Sequence, residues 1–302
     1  MDIAPLLCLA LLLDAVLGEP RWIWSRVSHP VILIGRAITW CDLNLNFGRY
    51  RRAKGLIAVI GLSAIAIALG WGVSWFGPIV EIVIAAVLLA QRSLVDHVQA
   101  VGNAMRVSLG DGRRMVARIV SRDTRDMDET AIARSAIESA AENLSDGVIA
   151  PAFWFLIGGL PGLFLYKVIN TADSMIGYRS PRYEEFGWAA ARFDDLLNLI
   201  PARLTAVLFA LPAGQLGQWR LIAADAQFHR SPNAGWPEAA LAQALDIALA
   251  GPRSYDGILT DFPYVHPKGR WKLDARDIDA TVKALWQAWG LALALCFIFA
   301  LF

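Results

Sequence analysis

Residues 55–90 read GLIAVIGLSAIAIALGWGVSWFGPIVEIVIAAVLLA, and that stretch decides the fold. Residues 55–77 carry no charge and run long enough to cross a hydrocarbon core of ~30 Å as a helix. Pro78 punctuates the run, and 79–90 reads as a shorter return span. The WGVSWFGP connection is uncharged and rich in Trp, the composition of a turn at a membrane interface. On one side lies 18–54, with Arg21, Arg26, Arg36, Arg49, Arg51, Arg52 and Lys54. On the other lies 91–146, with Arg92, Arg106, Arg113, Arg114, Arg118, Arg122, Arg125 and Arg134. A two-span hairpin returns its flanks to one side, and the positive-inside rule places both basic flanks in the cytoplasm.

The composition agrees. Of 302 residues, 56% are hydrophobic and only 18% charged, with twelve Trp, whereas soluble domains carry roughly 25% charged residues. A net charge of +1 supplies no basic field for nucleic acid. Cys8, Cys41 and Cys296 are scattered without CxxC or Cys/His spacing, so neither a disulfide framework nor a zinc site is indicated. The opening MDIAPLLCLALLLDAVLGEP lacks a basic leader and carries Asp14 late in its apolar run, which reads as a retained membrane segment.

Segment 147–166, GVIAPAFWFLIGGLPGLFLY, is interrupted by Pro151 and by GGLPG at 158–162. It is either a kinked span or a broken, re-entrant pair of short helices, and the second keeps the polar stretches before and after it on one side. Region 196–214 is apolar but contains Arg203 and two prolines; 215–283 is more soluble; 284–302 reads as a final anchor. There is no internal repeat and little strand alternation. The expectation is an all-α, polytopic integral membrane helical bundle, one domain over 1–302, with broken or re-entrant helices and a polar site on the cytoplasmic side of the membrane.

Against this background SRDTRDMDETAIARSAIESAAENLSD (121–146) stands out. On a helix Arg134, Glu138, Glu142 and Asp146 recur every four residues and share a face, with Ser135, Ser139 and Asn143 beside it. Ala133, Ala136, Ala140 and Ala141 keep the remainder small, permitting close helix approach. A solvated amphipathic helix laced with ion pairs is the plainer alternative. Against it, 91–146 contains no Lys, and Arg and Asn suit directed hydrogen bonding to carboxylates or phosphates.

A second polar stretch, YKVINTADSMIGYRSPRYEEFGWAAARFDDLLNLIPARLT (166–205), places Lys167, Asn170, Thr171 and Ser174 on one helix face with Asp173 beside it. Arg192, Asp194, Asp195, Asn198 and Arg203 follow. The two stretches are expected to converge. Their carboxylates suit Mg²⁺, and their Lys and Arg suit charge developing on a transferred phosphoryl group. SPNAGWPEAA (231–240) reads as a loop entering a helix, with Asn233 placed to hydrogen-bond; His29, His97, His229 and His266 are isolated. Neither GxxxxGK[ST] nor GxGxxG occurs, which excludes a standard P-loop or Rossmann site.

These pieces carry a resemblance. LLLDAVLGEP with HPVILIGR, VSRDTRDMDETAIARSAIESAAENLSDGVIAPAFW, the 166–205 stretch, SPNAGWPEAALAQAL and GPRSYDG together resemble the CobD/CbiB family of cobalamin biosynthesis, the membrane adenosylcobinamide-phosphate synthases. The resemblance implies ATP-dependent amide ligation of aminopropanol, or its O-phosphate, to a propionate of (adenosyl)cobyric acid. Cobalt then enters only as part of the corrinoid substrate, and other cobalamin-pathway enzymes are expected partners. On that reading Asp123, Glu138, Glu142 and Asp146 hold Mg²⁺ and position the nucleotide. Lys167 and Arg134 neutralise phosphoryl charge. Arg192, with Asn143, Asn170, Asn198 and Asn233, binds substrate, and Asp173, Asp194 or Asp195 accepts the amine's proton. The rival readings are a transporter, a scaffold that hands corrinoids between enzymes, and a non-catalytic membrane sensor of the distantly similar AmpE type.

Overall fold

The computed structural model describes residues 2–255 and 257–301. Most are helical, and four helices are long and apolar enough to cross a membrane: Arg51–Ser74, Pro78–Val107, Glu129–Ile176 and Ala275–Phe299. They make the chain a multi-pass membrane protein by length and composition. Ile3–Leu17 and Leu199–Ala210 are apolar but shorter. By its internal contacts the chain divides into two compact units.

The first unit comprises Met1–Ala90, Ala150–Leu199 and Leu295–Phe302. Proline sits at the start of two of its helices, Pro30–Leu45 and Pro78–Leu88, where the missing N–H has no helical partner to lose. The second follows Gly77, whose φ of 92° turns the chain at the interfacial connection. The Arg51–Ser74 helix approaches Ala150–Ile176 so closely that a Cβ on Gly70 would come within 2.6 Å of the Pro161 backbone. Its opposite face is apolar and open: Ile57, Ile60, Ile65 and Leu69 are all exposed, a surface suited to lipid tails.

The interruption at 158–162 takes the broken form. Gly159 has φ 57° and ψ −150°, a conformation open essentially to glycine alone, and Pro161 follows inside the same helix. A Cβ on Gly162 would lie 2.3 Å from the Trp154 carbonyl oxygen. Residues eight apart on a straight helix are separated by ~12 Å along its axis, so the chain doubles back here.

The second unit comprises Gln91–Ile149 and Ile200–Ala294. Its centre is the Glu129–Leu144 helix, whose Ile132, Ala133, Ala136, Ile137, Ala140 and Ala141 are fully buried. The alanine spacing lets Gln91–Val107, Leu109–Val116 and Gly235–Leu245 pack onto it. One π-helical turn, Ser145–Ile149, follows it.

The expectation of an all-α chain is corrected here. Leu249–Ala250 pairs antiparallel with Tyr264–Val265, and Arg253–Tyr255 with Ile258–Thr260. Positive φ at Ala250, Gly251 and Gly257 (58°, 82° and 77°) reverses the chain. Strands of two or three residues are too short to print a period-two pattern in the sequence.

Candidate functional site

The second unit builds a site from the 121–135 segment and the turn at 250–257. Asp128 caps the Glu129–Leu144 helix, its Oδ1 accepting from the Ala131 N–H at 2.7 Å. Upstream, the Asp123 N–H donates to the Ser254 carbonyl at 3.0 Å. The Ser254 hydroxyl and the Gly257 N–H both donate to Asp123 Oδ2 at 2.8 Å. Those hydrogen bonds, the Gly257 amide first, hold the Asp123 carboxyl below its ordinary range. The SRD loop is thereby stitched to the GPRSYDG turn; Asp256 of that motif lies outside the described residues.

Beneath the stitch lies a buried ionic cluster. Glu138, 4% exposed, faces Arg122 Nη2 at 2.8 Å and Arg253 Nη2 at 3.1 Å. Its Oε1 accepts from the Ala250 N–H at 2.7 Å, and Arg122 also donates to the Ser135 hydroxyl at 3.2 Å. Arg253 Nη2 lies 3.5 Å from Glu238 Oε1 as well. Burying a charge costs several kcal/mol unless it is paired, and here Glu138 is paired with two guanidiniums. Burial, reinforced by the neighbouring Glu138 carboxylate, pushes the Glu238 carboxyl up to about 8, so it carries a proton at neutral pH. Burial also lowers the His229 imidazole, against the pull of the Glu142 carboxylate.

Above the cluster opens a cavity of about 810 Å³, lined among others by Arg122, Asp123, Arg125, Asp126, Arg134, Ser135 and Arg253. Arg134 stands on its wall, donating to the Ala248 and Trp271 carbonyls at 3.1 Å, with its guanidinium 5.3 Å from the Tyr264 ring centroid. Such a wall can grip a planar oxyanion.

Of the residues singled out in 121–146, the structure gathers Asp123, Arg134 and Glu138 around this cavity. Glu142 and Asn143 are exposed, and Asn143 turns back to donate to the Ser139 carbonyl at 2.8 Å and hydroxyl at 3.1 Å. Asp146 falls in the π turn. The proposed metal set of Asp123, Glu138, Glu142 and Asp146 is not assembled. Among the described residues no three of His, Cys, Asp or Glu group to hold a metal ion, and Glu138 is engaged by two guanidiniums and an amide. Asn233, buried, accepts from Arg203 Nη1 at 3.1 Å, and that guanidinium stacks over Trp236.

The residues of 166–198 belong to the first unit and form a cluster of their own. Buried Asp194 accepts from Asn170 Nδ2 at 3.2 Å and Asn198 Nδ2 at 2.9 Å, while the Tyr166 hydroxyl donates to Asn198 Oδ1 at 3.0 Å. Lys167 is buried in the same unit. Arg192 pairs with Asp195 at 3.3 Å on a more open surface. Burial raises the Asp195 carboxyl, with Arg192 opposing. Asp173 Oδ1 would lie 2.0 Å from a Cβ on Gly177, so that glycine makes room for the carboxylate.

Arg253 and Glu238 were missed by sequence reasoning. Arg253 sits in the quoted GPRSYDG motif and was given no role. Glu238 is a lone acid in AGWPEAALAQAL, a helix otherwise small and apolar, and that isolation was its signal.

The family model described as CobD/Cbib protein matches residues 7–285. The chain is 49% identical to the cobalamin biosynthesis protein CobD of Brucella suis, over 94% of this chain and 93% of that one. It is 46% identical to the protein of that name from Rhizobium meliloti over 95% and 94%, and 46% to that of Rhodobacter capsulatus over 88% of each. No solved structure matches it. With the likeness running through both units and through every stretch that walls the cavity, the chain belongs to the CobD/CbiB family.

Proposed function

We propose that this protein acts in cobalamin biosynthesis as an ATP-dependent amide ligase, joining (R)-1-amino-2-propanol or its O-phosphate to a propionate of (adenosyl)cobyric acid. The observation that carries the reading is the likeness to curated cobalamin biosynthesis proteins over about nine-tenths of both chains. The arginine-walled cavity supports it, because ATP, the cobyric acid carboxylate and the aminopropanol O-phosphate are anions.

A carboxylate and an ammonium do not condense in water, so the carboxylate must be activated. In the proposed route a propionate oxygen attacks the γ-phosphorus of ATP, giving an acyl phosphate and releasing ADP. The amine then attacks the acyl carbon, the C–O bond to phosphate breaks, and the amine's surplus proton passes to a carboxylate, for which Asp173, Asp194 and Asp195 are the candidates. Lys167, Arg192, Asn170 and Asn198 bind substrate in the same unit. Mg²⁺ commonly takes one or two carboxylates plus substrate phosphates. Asp123 and Asp126 on the cavity wall fit that requirement, and the ion would neutralise phosphate charge there. The site faces the cytoplasm of the bacterial inner membrane, where ATP is available.

The test uses the purified protein in detergent with cobyric acid, either nucleophile, ATP and Mg²⁺. Mass spectrometry should find the corrinoid heavier by the amide-linked group. An unchanged corrinoid with both nucleophiles sinks the reading in favour of a sensor or scaffold. Asp123→Asn, whose amide oxygen can still accept from Ser254 and Gly257, is expected to cut turnover sharply in a folded protein; wild-type turnover would remove Asp123 from the site.

A further inference from the structure

The start of the membrane-crossing Arg51–Ser74 helix is held in place by ion pairs within the first unit. Arg51 Nε pairs with Glu185 at 3.2 Å, and its Nη1 donates to the Pro181 carbonyl at 3.3 Å. Asp42 accepts from Arg182 Nη2 at 2.6 Å, from Asn46 Nδ2 at 2.8 Å and from the Tyr183 hydroxyl at 3.3 Å. Those contacts clamp the 181–185 turn onto the connection that leads into the helix, and they occupy Asp42 and Glu185.

Three cations stay outside this frame. Arg49, Arg52 and Lys54 have no carboxylate at ion-pair distance among the described residues, and exposed Glu184 is the acid of the 181–185 turn likewise left unpaired. Three positive charges are thus set against one negative. Two of the three are fixed by aromatic faces. The Arg52 guanidinium lies 3.8 Å from the Trp188 ring centroid, and Lys54 Nζ lies 4.5 Å from that of Phe47 while donating to the Phe47 carbonyl at 2.8 Å.

The surface beside these cations is that of a membrane boundary. Phe47 and Tyr50 are 60% and 78% exposed, as aromatic side chains are at the level of lipid headgroups. Along the helix from Arg52, at four-residue steps, come Leu56 and Ile60, both exposed. A cationic head therefore stands over an apolar stripe that runs ~12 Å along the helix axis. A soluble anion meets only the head, whereas a phospholipid meets both. The unmatched cations also repel the ammonium of a zwitterionic lipid and favour a headgroup of net negative charge. We propose that Arg49, Arg52 and Lys54 bind the headgroup phosphate of an anionic phospholipid whose acyl chain lies along Leu56 and Ile60.

No catalysis enters the proposal, so it stands or falls apart from the ligase reading. Native mass spectrometry of the full chain, released from detergent after titration with phosphatidylglycerol or phosphatidylcholine, reads the lipid retained. Phosphatidylglycerol should bind the more tightly. A basic residue near a membrane surface contributes about fivefold to anionic lipid binding, so Arg49→Gln with Arg52→Gln should weaken phosphatidylglycerol roughly 25-fold and leave phosphatidylcholine nearly unchanged. Arg49→Gln alone should lose about fivefold and keeps the test decisive if the double variant does not fold. Arg118→Gln, which removes an exposed charge from the second unit, should bind as the wild type does. Equal affinity for the two lipids, or undiminished affinity in the variants, overturns the site. An equal loss in Arg118→Gln overturns it too, since net charge alone would then explain the binding. Displacement of phosphatidylglycerol by an equal concentration of glycerol phosphate overturns it as well and gives the cations to a soluble anion.

Discussion

Replacing Glu138 by Gln tests the buried cluster most directly. Gln is nearly isosteric and its carbonyl oxygen can still accept from the Ala250 N–H, which Glu138 does at 2.7 Å. What disappears is the negative charge 2.8 Å from Arg122 and 3.1 Å from Arg253. Two unit charges ~3 Å apart attract by about 5 kcal/mol at an effective dielectric of ~20. Desolvation offsets part of that, and removing one partner of a buried pair costs about 3–5 kcal/mol overall. Two guanidiniums lose their counter-charge here, so about 4 kcal/mol is expected for Glu138→Gln. The same reasoning requires non-additivity. Adding Arg253→Gln removes one of the stranded cations, so the double variant should cost at least ~1 kcal/mol less than the sum of the singles. Denaturant unfolding in micelles, followed by Trp fluorescence, reads both quantities. A Glu138→Gln variant within ~0.5 kcal/mol of wild type, or a strictly additive double variant, refutes the reasoning.

Two further outcomes follow from other parts of the molecule. Gly162→Ala places a Cβ 2.3 Å from the Trp154 carbonyl oxygen and should cost about 1–3 kcal/mol as the two arms of the broken helix are pushed apart; unchanged unfolding would show that the arms tolerate separation. Glu238 holds its proton more tightly when folded, at about 8 against an ordinary 4.5, so its contribution is complete below about pH 4.5 and is lost as pH rises toward and through 8. Wild-type stability should therefore fall relative to Glu238→Gln between pH 5 and pH 9, and parallel profiles for the two proteins would show that Glu238 does not titrate there.

The membrane hairpin was legible because its signal is composition over length: residues 55–77 contain nothing that water would hold, and basic residues bracket the pair of spans. The break in 147–166 was legible for a related reason. GGLPG supplies a residue free to take φ 57° followed by one that cannot continue a helix, and no uninterrupted span tolerates both. The strands were not legible. Arg253–Tyr255 exists because Gly251 and Gly257 turn the chain around it and Asp123 clasps the turn from more than a hundred residues away. A three-residue strand takes its stability from such partners and not from its own pattern.

The site divides along the same line. The four-residue spacing puts Arg134, Glu138 and Glu142 on the Glu129–Leu144 helix, with Asp146 in the π turn beyond it, but spacing says nothing of what lies opposite each position. Opposite Glu138 are two guanidiniums, which turns a presumed metal ligand into the counter-ion that holds Arg122 and Arg253 in place. The absence of Lys from 91–146 was the better clue. A surface that only needed solvation would be served by Lys, whose strongly hydrated ammonium favours water. Arginine at 122, 134 and 253 is spent instead on fixed geometry: a buried pair, two carbonyls, an aromatic face. Groups held so rigidly would lose little entropy to any ligand of the cavity, and what holds them in this unit is the burial of Glu138 and Glu238 beneath the arginines.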